Sequence, residues 1–255
     1  MANLAVTLGW GLVIATSLLL GAVAAALLHL PERVAAVLTA FGGGVLLAAI
    51  ALELVPEADR GAGAVLTSVG LAAGTLLYVG ADAWLNRDPG MKEMRRSGHA
   101  AAAGGEMTLS VRLPEVARGE SIAVGLFVDG IPESIALGVT IAEGQLGLAL
   151  LAGIVVGNVV ESYGAAQPIV YAGGTRRFAI GLLAVIGIAL GAATVLGATI
   201  LADASPAVIG TVQAVAAGAV LAVVSIAIIP HAFSEVSRLV ASATMTGFLV
   251  GYLLS

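Results

Sequence analysis

Phe127-Val128-Asp129-Gly130-Ile131-Pro132-Glu133-Ser134 lies in the middle of a long apolar run, and Gly157-Asn158-Val159-Val160-Glu161-Ser162 echoes it 28 positions later. Asp129 and Glu133 are four apart and share a helix face; Asn158 and Glu161, three apart, do the same. No Lys or Arg lies within either run. A carboxylate at the centre of a bilayer costs about 2.5–3.5 kcal/mol even on the lenient insertion scale. Three of them need compensation, and a bound cation is the simplest form of it.

The composition says which solvent the chain expects. Of its 255 residues, 59% are hydrophobic and only 11% are charged, against roughly 25% charged in a soluble domain. The expectation is an all-α, polytopic membrane protein. Its length allows about eight spans of ~20 residues. The absence of cysteine removes disulfides, thiolate metal sites and cysteine nucleophiles, and leaves the redox compartment open. Gly accounts for 34 residues, and small residues let membrane helices approach closely. The start of the chain lacks the basic region of a signal peptide, so its apolar run reads as a retained first helix.

Eight apolar runs fall at roughly 5–28, 34–55, 62–85, 119–142, 146–171, 178–201, 207–229 and 236–254, with Pro31, Pro56, Pro89, Pro206 and Pro230 read as marking ends. One connection is long: Asn86 to Arg118, expected as a flexible cytoplasmic loop, whose single His99 makes no metal-binding tract. With the N-terminus outside, Arg33, Arg87, Lys92, Arg95, Arg96, Arg112, Arg118, Arg176, Arg177 and Arg238 fall inside, and Arg60 alone falls outside. That bias places both termini outside the cytoplasm.

A second echo joins the two ends of the chain. Ala40 to Ala48, followed by Pro56-Glu57-Ala58, aligns without gaps on Ala214 to Ala222, followed by Pro230-His231-Ala232, at an offset of 174. In the orientation above, the second run points outward and the seventh inward. Runs one to three and six to eight then read as inverted repeats flanking the inverted pair four and five. This is a 3+2+3 arrangement of eight transmembrane helices, and inverted repeats around polar residues at the midplane are typical of transporters.

At 1.5 Å rise per residue, Glu133 and Glu161 fall near the midplane of their runs. Pro132 removes a backbone hydrogen bond beside Glu133 and frees a carbonyl near residue 128. The candidate metal ligands are Asp129, Glu133 and Glu161 as anionic donors and Asn158 as a neutral one, with Ser134 and Ser162 secondary. The competing reading is a network of protonated carboxyls that joins helices. Glu53 and Glu57 at the outer end of the second run, and His231 and Glu235 at the inner end of the seventh, are candidates for where an ion joins and leaves the path, with Gln167 lining the way out. Residues in contact with interfacial water would look the same. Asp82 and His29 read as interfacial. There is no P-loop, no His-Glu-x-x-His, no Gly-x-Ser-x-Gly and no Gly-x-Gly-Asp pattern, so neither an enzyme nor a nucleotide-driven pump is expected.

These residues resemble the Zrt/Irt-like (ZIP) family of divalent metal transporters, as a divergent member. Asp129-Gly130-Ile131-Pro132-Glu133-Ser134 is similar to the family's His-Asn-x-Pro-Glu-Gly in helix four. Gly157-Asn158-Val159-Val160-Glu161-Ser162 is similar to its Gln-Asn-x-Pro-Glu-Gly in helix five. Gly44 to Ala58 and Gly218 to Ala232 look like its helix-two and helix-seven segments. The resemblance covers the whole chain. It implies a metal site between helices four and five, with Asp129 in place of a His, Glu133 and Glu161 at the shared glutamates, and Asn158 at an Asn or acidic position. Gly130, Gly157 and Ile226-Ala227 stand where the family carries further ligands, which points to one metal rather than two. With imidazoles gone and oxygens remaining, preference shifts towards harder ions such as manganese, iron or magnesium, although zinc also accepts carboxylates.

The resemblance thus implies a secondary transporter carrying a divalent metal (zinc, manganese, iron or similar) into the cytoplasm across a plasma or inner membrane. No permanently bound cofactor and no nucleic-acid partner are expected. The lipid bilayer and the metal substrate are the expected partners, and a homodimer stays open. The alternatives are a carrier of protons or another cation, and a membrane protein that senses metal without transporting it.

Overall fold

The computed structural model describes residues 4–28, 30–85, 115–144, 147–171 and 175–255. The side chains of some residues inside helices, among them Asp129, Gln167 and His231, lie outside that description. Every regular element among the described residues is helical: α1 (Leu4–Leu27), α2 (Glu32–Ala49), α3 (Val55–Leu85), α4 (Glu115–Ala142), α5 (Leu148–Tyr171), α6 (Arg176–Leu201), α7 (Pro206–Val223), α8 (Ile229–Val236) and α9 (Leu239–Leu254). Among the described residues, five helical stretches are long and apolar enough to cross a membrane: Ala5–Leu27, Arg33–Trp84, Leu148–Ala166, Arg176–Leu201 and Pro206–Val236. Large apolar side chains such as Leu12, Leu76, Leu77, Val185 and Ile200 point outward, as a chain surrounded by hydrocarbon requires.

Pro56 and Pro230 do not end helices, contrary to the expectation from sequence. Each follows a π-helical turn, Ile50–Leu54 after α2 and Val224–Ile228 after α7, and the helix runs on through it. The Val55 amide donates to the Ile50 carbonyl and the Ile229 amide to the Val224 carbonyl, each reaching one residue further back than in an α-helix. A proline ring collides with the carbonyl four residues back in an α-helix. Widening the turn just before the ring relieves that collision, which is why the chain continues. Pro206 does start a helix, with the Ser205 hydroxyl accepting from the Val208 amide. Pro89 lies outside the described residues, as do residues 86–114 of the expected loop; α4 already begins at Glu115.

The two π-turns lie 174 residues apart, the offset of the sequence echo. So do the two residues that turn the chain after them: Gly63, with φ 78°, inside α3, and Ser237, with φ 48°, between α8 and α9. The packing repeats too. The part of α3 beyond Gly63 lies along α7, and α9 lies along α2. In both pairs glycines bring backbones into direct approach: Gly74 on the Val215 carbonyl and Gly218 on the Leu71 carbonyl, Gly247 on the Phe41 carbonyl and Gly44 on the Thr244 carbonyl. α1 packs on α5 and α6, α6 on α4, α2 on α5, and α4 on α7. The core is built of small and aliphatic residues, with Ile14, Leu18, Leu46, Leu54, Leu137, Leu150, Leu183 and Leu190 fully buried.

Candidate functional site

The polar residues of the two opening stretches lie inside the bundle. Glu133 on α4 is 6% exposed, Asn158 on α5 is 2% exposed, and Ser134 and Ser162 are buried beside them. Glu161 is half-buried. α4 and α5 touch, and neither Glu133 nor Glu161 lacks an interaction partner. Asp129 lies on α4 with its side chain outside the described set. Pro132 is within α4, as expected.

Asn158 is held by a residue the sequence reading passed over. Its Nδ2 donates to Ser17 Oγ on α1 at 3.0 Å, and Ser17 Oγ donates in turn to the Ile14 carbonyl at 2.7 Å. Spending the amide nitrogen on α1 leaves Oδ1 as the acceptor end of the side chain. Ser162 donates to the Asn158 carbonyl at 2.5 Å. Gly21 of α1 lies directly against Ser162 Oγ and the Val159 carbonyl, so α1 braces the polar turn of α5 from behind. Beside Glu133, between α3, α4 and α7, lies a cavity of about 470 Å³ lined by Tyr78, Ile131, Pro132, Ile135, Thr211 and Ala216 among others. Its lining is almost wholly apolar and offers an ion little.

Gly130 and Gly157, the glycines of the two opening stretches, differ in their surroundings. A Cβ on Gly130 would run into the Leu190 side chain of α6, whereas a Cβ on Gly157 meets nothing within 4 Å. Ile226 and Ala227 belong to the second π-turn, where Ile226 faces outward and Ala227 is buried.

Of the residues suggested for the two ends of an ion path, Glu53 and Glu57 are each engaged. Glu53 caps α5, with Oε1 accepting from the Ala149 amide and Oε2 from the Leu150 amide, both at 3.3 Å. A carboxylate is favoured there, since the helix N-terminus carries unsatisfied amides and a positive dipole end. Glu57 Oε2 accepts from Gln213 Nε2 of α7 at 2.9 Å. Glu235 accepts from the Ser234 hydroxyl at 3.4 Å. The side chains of Gln167 and His231 lie outside the described residues.

Two further members of the Glu57 group were not singled out from sequence. Glu143, in the turn after α4, is in electrostatic range of the Glu57 carboxyl and of Gln213. Burial pushes the Glu143 carboxyl up to about 7, and the neighbouring Glu57 carboxyl adds to it; Gln213 and the Arg60 charge act the other way. Gln213 is fully buried. A single amide in the apolar run of α7, and an acid at the end of α4, were the signals available. The contact itself joins positions 156 residues apart, and no local pattern encodes that.

Among the described residues no three His, Cys, Asp or Glu side chains form a metal-holding group; Asp129 and His231 are not among the side chains described. No family model matches the chain, and no curated protein matches it.

Proposed function

We propose that the chain is a secondary transporter that moves a divalent transition metal across a membrane through the carboxylate and amide groups of α4 and α5. The observation that carries the reading is the buried Glu133, with buried Asn158 on the neighbouring helix, in a chain with so few charges. Such groups stay in a low-dielectric core only when they are compensated or used. The register of the two π-turns, the two chain reversals and the paired glycine contacts supports eight spans in a 3+2+3 arrangement, with α1 to α3 and α6 to α9 as inverted repeats around α4 and α5. The positive-inside bias favours both termini outside, and the resemblance in sequence favours uptake into the cytoplasm.

In this reading a metal approaches past Glu57, displaces protons from Glu133, Glu161 and Asp129, and takes Asn158 Oδ1 as a neutral donor. Rocking of one repeat against the other opens the site towards His231 and Glu235. The π-turns supply each long helix with a place to bend. The test is flux of Zn, Mn, Fe, Co, Cd and Mg into liposomes by purified protein, beside Glu133→Ala/Glu161→Ala. Saturable flux that the double variant abolishes is expected; flux that survives it sinks the proposal.

A second reading, proton carriage without metal, is favoured by one observation. Burial and the neighbouring Glu57 charge push the Glu143 carboxyl up to about 7, where it can take up and release a proton near neutral pH. Flux that follows a pH gradient and ignores every metal would select it.

A further inference from the structure

We propose that the cavity between α3, α4 and α7 is a binding site for one acyl chain of a membrane lipid, which enters from the hydrocarbon side and lies against Pro132, next to Glu133. The inference rests on the membrane-spanning helices and not on the transport reading above.

Packing leaves the space open. The cavity measures about 470 Å³, with Gly74 of α3 and Ala216 of α7 on one side and Ile131, Pro132 and Ile135 of α4 on the other. A Cβ on Gly74 would run into the Val215 carbonyl, and one on Gly218 into the Leu71 carbonyl. α3 and α7 thus already lie backbone against backbone, and neither can move closer to its partner to change the shape of the gap. The small side chains on their side do not reach across to α4.

The lining selects what fills it. Among the described lining residues only Tyr78 and Thr211 carry polar side chains. Thr211 donates to the Ala207 carbonyl at 2.7 Å, and Tyr78 is not without a partner. A buried water needs about 2–4 polar partners, and an apolar cavity of about 150 Å³ stays dry yet takes up benzene. An empty space leaves its walls without dispersion partners. Hydrocarbon is the occupant that restores them.

The rim shows where the hydrocarbon comes from. Leu77 and Ala81 are exposed, Leu77 by 67%. Leu76 and Val79 beside them also face outward, and this part of α3 belongs to a stretch long and apolar enough to cross a membrane. Such a surface meets lipid tails. Pro132 falls near the middle of the apolar run 119–142, at the depth of tails rather than headgroups. The headgroup therefore stays outside, and the chain alone enters. Its far end reaches Tyr78 and Pro132, both buried, which a lipid passing over the outer surface does not touch. The chain then fills the seam between the α3–α7 pair and α4, and props α4 one residue before Glu133.

The experiment places the full-length protein in phospholipid nanodiscs containing a little phosphatidylcholine with a diazirine midway along one acyl chain. After illumination, the labelled residues are found by mass spectrometry. Tyr78 and Ile135 are expected to be labelled severalfold more than the outward-facing Leu12 and Val185, which meet passing lipid. Ala216→Phe takes the space of several methylenes and should lower labelling at Tyr78 and Ile135 about tenfold or more, with Leu12 and Val185 unchanged. Ala81→Trp narrows the exposed rim, should act in the same direction, and keeps the test decisive if Ala216→Phe does not fold. The proposal is overturned if Tyr78 and Ile135 are labelled no more than Leu12 and Val185, as passing lipid alone or a second copy over the rim would give. It is equally overturned if neither variant lowers their labelling. Failure of the transport reading looks different: Tyr78 and Ile135 stay labelled while no metal crosses the liposome membrane.

Discussion

Gly63 and Ser237 occupy corresponding places 174 residues apart, and each reverses the chain with a positive φ, 78° and 48°. With ψ of 159° at Gly63 and −122° at Ser237, both conformations lie where a Cβ is unwelcome. The first repeat uses the residue that suits the turn, and the second does not. Ser237→Gly should therefore raise stability by about 1 kcal/mol, and Gly63→Ser should lower it by about 1–3 kcal/mol. Thermal unfolding of both variants in detergent checks this. Equal effects of either sign would mean that the two reversals are not equivalent.

Ser17 and Asn158 provide a prediction about positioning. Ser17→Ala removes the oxygen that receives the Asn158 amide at 3.0 Å. A hydrogen bond between membrane helices contributes about 0.6 kcal/mol on average and about 1.7 at most, because the unfolded chain in the membrane also finds partners. Stability should fall by no more than that. The metal concentration for half-maximal flux should rise several-fold, since Asn158 Oδ1 loses its fixed aim, with a smaller change in maximal rate. Ser17→Thr keeps the oxygen and should restore most of the affinity. An Ala variant with unchanged concentration dependence would remove Asn158 from the ligand set.

Gly157 and Gly130 predict opposite outcomes for adding a ligand side chain. Gly157→His places its Cβ in open space and replaces a poor helix former, so folding should survive. An imidazole one residue before Asn158 should shift selectivity towards zinc by about tenfold or more. Gly130→Asn drives a Cβ into Leu190 and should cost about 1–3 kcal/mol as overpacking. Competition between zinc and manganese in the flux assay, with melting curves alongside, reads both. A stable Gly130→Asn beside an unfolded Gly157→His would invert the argument.

The helical class and the placement of helices were legible because burial in lipid demands continuous apolar runs, and those runs are the sequence's loudest signal. The offset of 174 was legible in Gly44 and Gly218 and in Pro56 and Pro230, since close backbone approach and ring geometry each select one residue type. The π-turns were not. A π-turn adds one residue to a helix without changing its composition, so Pro56 and Pro230 read as ends when they are interior. Glu133 and Asn158 announced themselves as polar residues in apolar surroundings, and both proved buried. The group of Glu57, Glu143 and Gln213 stayed hidden because three separate elements build it, and helix packing alone decides which of their polar residues meet.

Glu143 gives the pH prediction. Its carboxyl is held up to about 7 in the fold, against an ordinary 4.5, so the folded chain keeps this proton after the unfolded chain has released it. Stability from this group is then fully present below about pH 4.5 and declines as pH rises to about 7, above which it is flat. The group is half-buried, so screening by water limits the effect to roughly 1 kcal/mol rather than the full linkage value. In Glu143→Gln, which cannot ionise and keeps hydrogen-bonding capacity, the melting temperature in chelator should fall less between pH 4.5 and 7 than in the unmodified chain. Unfolding curves across that window decide it. Identical slopes for the two proteins would mean that Glu143 does not hold its proton there.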